Sequence, residues 1–170
     1  MIIANWKCNG SNEMMVSWCA AYDRELDGND AYVAVAPPVI YFSKFKFENR
    51  LFNVVGCGVQ DVDYSDGSRT GSISVDMLID MECGFSIIGH SERRQIFNED
   101  NNLIKEKLKS LNKKIMTILC IGETEEENDE GITKDVLKNQ LEIVNGLDLD
   151  REFTVAYEPV WAIGSGLTPE

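Results

Sequence analysis

Positive charge is what this sequence has least of: 16 lysines and arginines stand against 29 acidic residues, a formal charge of -13. Such a surface repels a phosphate backbone, so no nucleic-acid partner and no anionic membrane is expected, and a small anion would need a locally positive pocket. No run of about 18 apolar residues occurs, which argues against a membrane-spanning helix. The start, Met1-Ile2-Ile3-Ala4-Asn5-Trp6-Lys7, lacks the charged and long apolar regions of a signal peptide. A soluble, cytoplasmic protein is expected. The cysteines (Cys8, Cys19, Cys57, Cys83, Cys120) are odd in number and scattered, without a Cys-x-x-Cys pair, so neither a disulfide framework nor a zinc site is indicated. No organic cofactor site is visible either. There is no internal repeat beyond the alternation described next, and no low-complexity linker. With 170 residues and 44% hydrophobic content, residues 1–170 read as a single domain with one core.

What is present is a series of short apolar runs: Ile2 to Trp6, Ala31 to Ala36, Asn53 to Val59, Phe85 to Gly89, Ile115 to Ile121 and Phe153 to Tyr157. None alternates as a strand with one wet face would, so each reads as a parallel strand buried on both sides. Helical stripes lie between them: Met15, Trp18, Cys19, Tyr22 and Leu26; then Leu103, Ile104, Leu108 and Leu111; then Ile132, Val136, Leu137, Leu141 and Val144. Further helices are expected at about 40–50 and 74–83. The acidic stretch from Glu123 to Glu130 reads as a solvated loop running into a helix amino end. Six strands alternating with helices predict right-handed βαβ units and a parallel sheet. A doubly wound sheet would usually show a glycine-rich phosphate turn after its first strand, and Asn5-Trp6-Lys7-Cys8-Asn9-Gly10 offers polar side chains instead. A (β/α) barrel is therefore favoured.

A barrel places its chemistry at the carboxyl ends of its strands. Asn5 and Lys7 follow the first strand, His90 the fourth, Cys120 and Glu123 the fifth, Glu158 the sixth. A carboxylate, an imidazole and an ammonium converging on one cavity would suit proton transfer beside a carbonyl, with stabilisation of the resulting oxyanion. Position alone leaves ordinary readings open. A lone histidine is more often a surface or satisfied core group, and a glutamate before a proline is more often a solvated turn carboxylate.

Read whole, four strings resemble the signature strings of triosephosphate isomerase, in family order: Asn5-Trp6-Lys7-Cys8-Asn9-Gly10, Gly89-His90-Ser91-Glu92-Arg93-Arg94, Cys120-Ile121-Gly122-Glu123, and Ala156-Tyr157-Glu158-Pro159-Val160-Trp161-Ala162-Ile163-Gly164-Ser165-Gly166. The resemblance implies an α/β fold, a partial (β/α)8 TIM barrel with six parallel strands and the seventh and eighth βα units absent. It implies the interconversion of dihydroxyacetone phosphate and glyceraldehyde 3-phosphate through an enediolate, without a cofactor. It implies Glu158 as the proton shuttle, His90 as the electrophile, Lys7 holding substrate charge, Asn5 at the reacting oxygen and Glu92 bracing the lysine. The family is itself the standard case of a neutral histidine at a helix amino end beneath a closing loop. Pro159 to Gly166 resembles that loop, with Gly164 and Ser165 at the substrate phosphate, Ser165 replacing the usual threonine. Asp61 to Ser72 resembles the loop by which two subunits interlock, although Asp61 replaces an asparagine and Ser72 a glutamate.

A complete barrel of this kind needs about 250 residues, whereas Thr168-Pro169-Glu170 announces a helix that the chain does not continue. The expectation is an isomerase impaired unless the remaining βα units are supplied, acting as a dimer through loop 61–72 or with a complementing C-terminal fragment. The alternative is a non-catalytic unit that self-associates through open sheet edges. A barrel isomerase acting on another phosphorylated sugar is disfavoured by the closing-loop string.

Overall fold

The computed structural model describes residues 1–25, 32–52, 56–65, 67–149 and 153–163. Six strands form one parallel sheet in sequence order: β1 Ile2–Asn5, β2 Val33–Ala36, β3 Gly56–Val59, β4 Phe85–Ile88, β5 Met116–Ile121 and β6 Phe153–Tyr157. The register steps regularly, Asn5 beside Ala36, Val35 beside Cys57, Val59 beside Ser86, Ile88 beside Leu119 and Ile121 beside Tyr157. The sheet curls as part of a TIM barrel. Among the described residues β1 and β6 each pair on one side only. Ala31, Asn53 and Leu26 of the expected segments lie outside the described residues.

Alternation along the strands divides the core in two. Ala34, Ala36, Phe85, Ile87, Ile118 and Cys120 face the inside of the curl, with Ile3, Met116 and Ala156 against them. Phe85 fills this space only because β3 has glycine opposite: a Cβ at Gly58 would lie 2.5 Å from the Phe85 ring. The other face, including Val35, Val59, Ile88 and Leu119, packs against the helices. Edge strands are more open, with Ile2, Val155 and Tyr157 exposed.

The helices follow the apolar stripes. They are α1 Asn12–Glu25, α2 Val39–Phe52, α3 Val75–Asp80, α4 Ser91–Ile96, α5 Asn101–Leu111, α6 Glu125–Asp129 and α7 Thr133–Leu141. Helix α5 starts where the Asp100 side chain accepts the Leu103 N–H at 2.8 Å. It buries Ile104, Leu108 and Leu111, each worth about 1.5–3 kcal/mol of transfer free energy. Helix α6 supplies the helix amino end expected within 123–130 and corrects only the extent of the loop before it. Thr124 and Glu127 form a reciprocal capping box that nucleates a helix there, and Glu123, at the start of the stretch, is fully buried.

Candidate active site

The loop after β1 is anchored by Trp6, which is buried edge-on against Trp18 and Phe45 with ring centroids 5.9 and 5.3 Å away. Next to it the Lys7 backbone is left-handed, φ 50°, a conformation costing a non-glycine residue about 1–2 kcal/mol. Hydrogen bonds hold it. The Lys7 N–H donates to Asn5 Oδ1 at 2.9 Å, and Gln60 Nε2 donates to the Lys7 and Ala36 carbonyls, both at 2.9 Å. Because Asn5 spends its oxygen on Lys7, its NH2 end is the part left to donate into the cleft. Lys7 Nζ lies 2.8 Å from Glu92 Oε1. Both partners are substantially exposed, so the pair orients the ammonium more than it stabilises the fold.

His90 follows β4 and caps α4. Its Nδ1 accepts the Glu92 N–H at 3.2 Å, so the neutral ring carries its proton on Nε2. The side chain is nearly buried, and Nε2 stands 3.5 Å from Glu158 Oε2. Asn5, Lys7, Gln60, His90 and Glu92 line one cleft of about 540 Å³, together with Ile96 and Phe97.

Glu158 leaves the end of β6, where its N–H donates to the Ile121 carbonyl at 2.8 Å. Beside it Gly122 permits a close approach of the two strand ends, since a Cβ there would lie 2.0 Å from the Glu158 carbonyl oxygen. Gln140 clamps Gly122 from the other side, accepting its N–H at 2.8 Å and donating to its carbonyl at 2.9 Å. Burial pushes the Cys120 thiol well above its ordinary pKa, and the nearby Glu158 carboxylate adds to the shift. Cys120 is thus a neutral thiol. The buried Oε2 of Glu158 has no hydrogen-bond partner among the described residues.

Lys7 and His90 thus share a cleft at the strand ends of a curled parallel sheet, and Glu158 reaches His90 from the adjoining end of β6. The family model for triosephosphate isomerase matches residues 1–170. The triosephosphate isomerase of Erwinia tasmaniensis is 41% identical over 172 residues, which covers 98% of this chain and 67% of that protein. Those of Nitrosococcus oceani and Legionella pneumophila are 38% and 40% identical, each with 99% of this chain and 69% of theirs covered. This chain belongs to the triosephosphate isomerase family. It spans about two-thirds of the length of these relatives.

Of the site residues expected from the sequence, Asn5, Lys7, His90 and Glu92 share one cleft, whereas Glu158 lines a separate pocket with Cys120, Gly122 and Gln140 and meets the first group at His90, 3.5 Å away. Gly164 and Ser165, with Gly166 to Glu170, lie outside the described residues. No helix among the described residues is long and apolar enough to cross a membrane.

For a triosephosphate isomerase, the residue that sequence reading undervalued is Glu123. Its buried carboxylate accepts Trp161 Nε1–H at 2.8 Å and the Tyr157 hydroxyl at 3.1 Å to each oxygen, while its carbonyl accepts the Val160 N–H at 2.9 Å. It ties the chain on both sides of Glu158 to the end of β5. The signal was its place in the Cys120-to-Glu123 string. The acids that follow made it look like part of a solvated run.

One prediction follows from Gly122. Gly122→Ala forces the β6 end away from β5, and a displacement of about 1 Å at a catalytic group can cost about a hundredfold in rate. Isomerase turnover is expected to fall on that scale while the circular-dichroism spectrum is kept. A variant with unchanged turnover would show that this close approach does not set the Glu158 position.

Proposed function

We propose that this chain interconverts dihydroxyacetone phosphate and glyceraldehyde 3-phosphate, with Glu158 moving the proton. The isomerase reaction in general follows from the family. Glu158 removes a proton from the carbon next to the carbonyl and returns it to the neighbouring carbon. His90 Nε2–H donates to the carbonyl oxygen as charge develops, and Nδ1 is kept as an acceptor by the Glu92 N–H. Lys7 offsets the charge of phosphate and enediolate, Glu92 fixes its ammonium, and Asn5 donates from its NH2 end. The observation that carries this reading is the 3.5 Å separation of His90 Nε2 and Glu158 Oε2, with His90 sharing a cleft with the Lys7–Glu92 pair. Gly164 and Ser165 are assigned to the substrate phosphate.

Substrate phosphate binding drives orientation and closure. The relatives carry about a third of their length beyond the matched region, and the 170-residue chain by itself is assigned a low turnover. The test is a coupled isomerase assay on this chain with and without a peptide corresponding to that remaining third. Activity is expected to rise as the peptide saturates; no gain from a complex shown to form would reject the proposal. Loop 61–72 is assigned to a cytoplasmic homodimer. Arg69 braces it internally, bonding Asp63 at 2.8 Å and stacking 4.3 Å from the Tyr64 ring.

A second reading rests on the edges. β1 and β6 have one partner each among the described residues, with exposed apolar side chains beside them, and open edges pair readily. A stable oligomer devoid of isomerase activity, unchanged by the peptide, would favour this non-catalytic assembly unit.

A further inference from the structure

We infer that Arg94, on α4, is a positioning residue for His90. Its guanidinium lies across two strand ends: Nε donates to the Gly89 carbonyl at 2.8 Å and Nη2 to the Cys120 carbonyl at 3.3 Å, so the ends of β4 and β5 are joined through one side chain. Nη1 donates to Asn101 Oδ1 at 2.8 Å, and Asn101 Nδ2 donates to Asn139 Oδ1 at 2.8 Å, which sets α5 and α7 behind the guanidinium. All three acceptors are neutral. Arg94 makes no ion pair among the described residues, whereas Arg93 beside it reaches two carboxylates. Burial pulls the Arg94 pKa below the ordinary guanidinium value, and a charge held out of water without a counter-charge is costly. Its place is better explained by what it orients than by what it adds to stability.

The group it orients is the Gly89 peptide. Gly89 turns the chain out of β4 with φ 67°, which glycine alone adopts freely, and the same freedom lets the peptide rotate unless something restrains it. The guanidinium packs directly on this residue: a Cβ there would lie 3.1 Å from Arg94 Nη2 and 3.2 Å from the Cys120 carbonyl oxygen. Fixing the Gly89 carbonyl fixes the start of His90, whose ring must reach forward for Nδ1 to accept the Glu92 N–H at 3.2 Å. That bond puts the proton on Nε2, the nitrogen 3.5 Å from Glu158. It lies at the long end of the hydrogen-bond range, so a modest turn of the Gly89 peptide breaks it and lets the ring carry its proton on either nitrogen. Arg94 lines the pocket behind Glu158 and is not part of the cleft that holds Lys7. The functional meaning of this inference rests on reading His90 as the electrophile.

His90 is the sole histidine of the sequence, so the full chain labelled with 15N-histidine shows a single imidazole. Two variants are compared with the parent: Arg94→Met, which keeps the aliphatic stem and removes every donor, and Arg94→Gln, which keeps an amide and is too short to join Gly89, Cys120 and Asn101. At a pH above the ordinary histidine range, the parent should give one proton-bearing and one proton-free ring nitrogen, with widely separated resonances. Either variant should draw the two resonances together as the ring samples both tautomers. Leu111→Ala, which opens a cavity elsewhere in the core, controls for lost stability and should leave both resonances in place. A folded Arg94 variant with the parental pair of resonances overturns the inference, and so does an equal movement in the control. If Arg94→Met does not fold, the Gln variant alone decides. In the peptide-complemented chain, kcat is expected to fall about tenfold to a hundredfold, the scale of a misplaced catalytic group, with KM for dihydroxyacetone phosphate changed less than about twofold. A rise in KM with kcat unchanged would also overturn it. Failure of the isomerase reading is separately visible, as absence of turnover in the parent complex with the resonance arm intact.

Discussion

Glu158→Gln in the peptide-complemented chain is expected to lower kcat about a thousandfold or more, the scale of a positioned general base. The substitution keeps the shape but removes the carboxylate that stands 3.5 Å from His90 Nε2. KM is expected to change little, because Lys7 and Asn5 hold the substrate in this account. Stability should stay within about 1 kcal/mol, since the side chain is roughly one-third exposed and Oε2 already lacks a partner. Steady-state kinetics and a thermal melt check both halves. A variant retaining more than about a tenth of parental kcat would remove Glu158 from the role assigned to it.

The second large effect concerns stability. Lys107 is buried on α5, with Nζ 2.6 and 2.8 Å from the two oxygens of Asp61 and 2.6 Å from Glu99 Oε1. Arg93 reaches the same two carboxylates, at 3.0 Å to Asp61 and 2.5 Å to Glu99. Lys107→Met removes one cation from a cluster of two cations and two anions, leaving Glu99 buried with Arg93 alone. Breaking a buried pair from one side costs about 3–5 kcal/mol, a fall of roughly 10 °C or more in melting temperature for a domain of this size. Burial pushes the Glu99 carboxyl up, but the Arg93 and Lys107 bonds outweigh it and hold its pKa below the ordinary carboxylate value. A depressed folded-state pKa stabilises above the ordinary value, and that contribution is lost as pH falls through the depressed one. Lys107→Met should therefore also move the acid-unfolding midpoint upward. Asp61 runs the other way. Burial, its largest influence, outweighs Lys107 and raises its pKa, so its contribution favours the fold on the acid side and weakens as pH rises through the raised value. Asp61→Asn is accordingly expected to cost far less than Lys107→Met, and equal losses in the two melts would contradict the account.

Much of the architecture was legible because buried parallel strands write themselves as unbroken apolar runs. All six runs became strands in the expected order, shortened at their ends where Trp6 and Gly89 turn into loops. The shared cleft of Asn5, Lys7, His90 and Glu92, with Glu158 reaching His90 from β6, was legible through the strand-end rule and the four strings together. Glu123 was not, because a buried carboxylate flanked by acids has the same local composition as a wet loop; only its partners Trp161 and Tyr157, more than thirty residues away, distinguish the two. The ion cluster joins Asp61 to Lys107 across 46 residues. A local clue did exist, since Lys107 falls on the same helical face as Ile104, Leu108 and Leu111, where a solvated lysine has no place. Gln60 has no local signature at all. Its hydrogen bonds go to two carbonyls far away in sequence, one in the loop after β1 and one at the end of β2.

The central claim is that Glu158, His90 and Lys7 act as one site that moves a proton on a triose phosphate. The most direct measurement is solvent exchange: the chain, complemented with the peptide for the relatives' remaining third, is incubated with dihydroxyacetone phosphate in D2O and the substrate is read by NMR. Stereospecific entry of a single deuterium at the hydroxymethyl carbon beside the carbonyl is predicted, abolished by Glu158→Gln. A folded complex that binds the substrate and leaves that carbon fully protonated would contradict it.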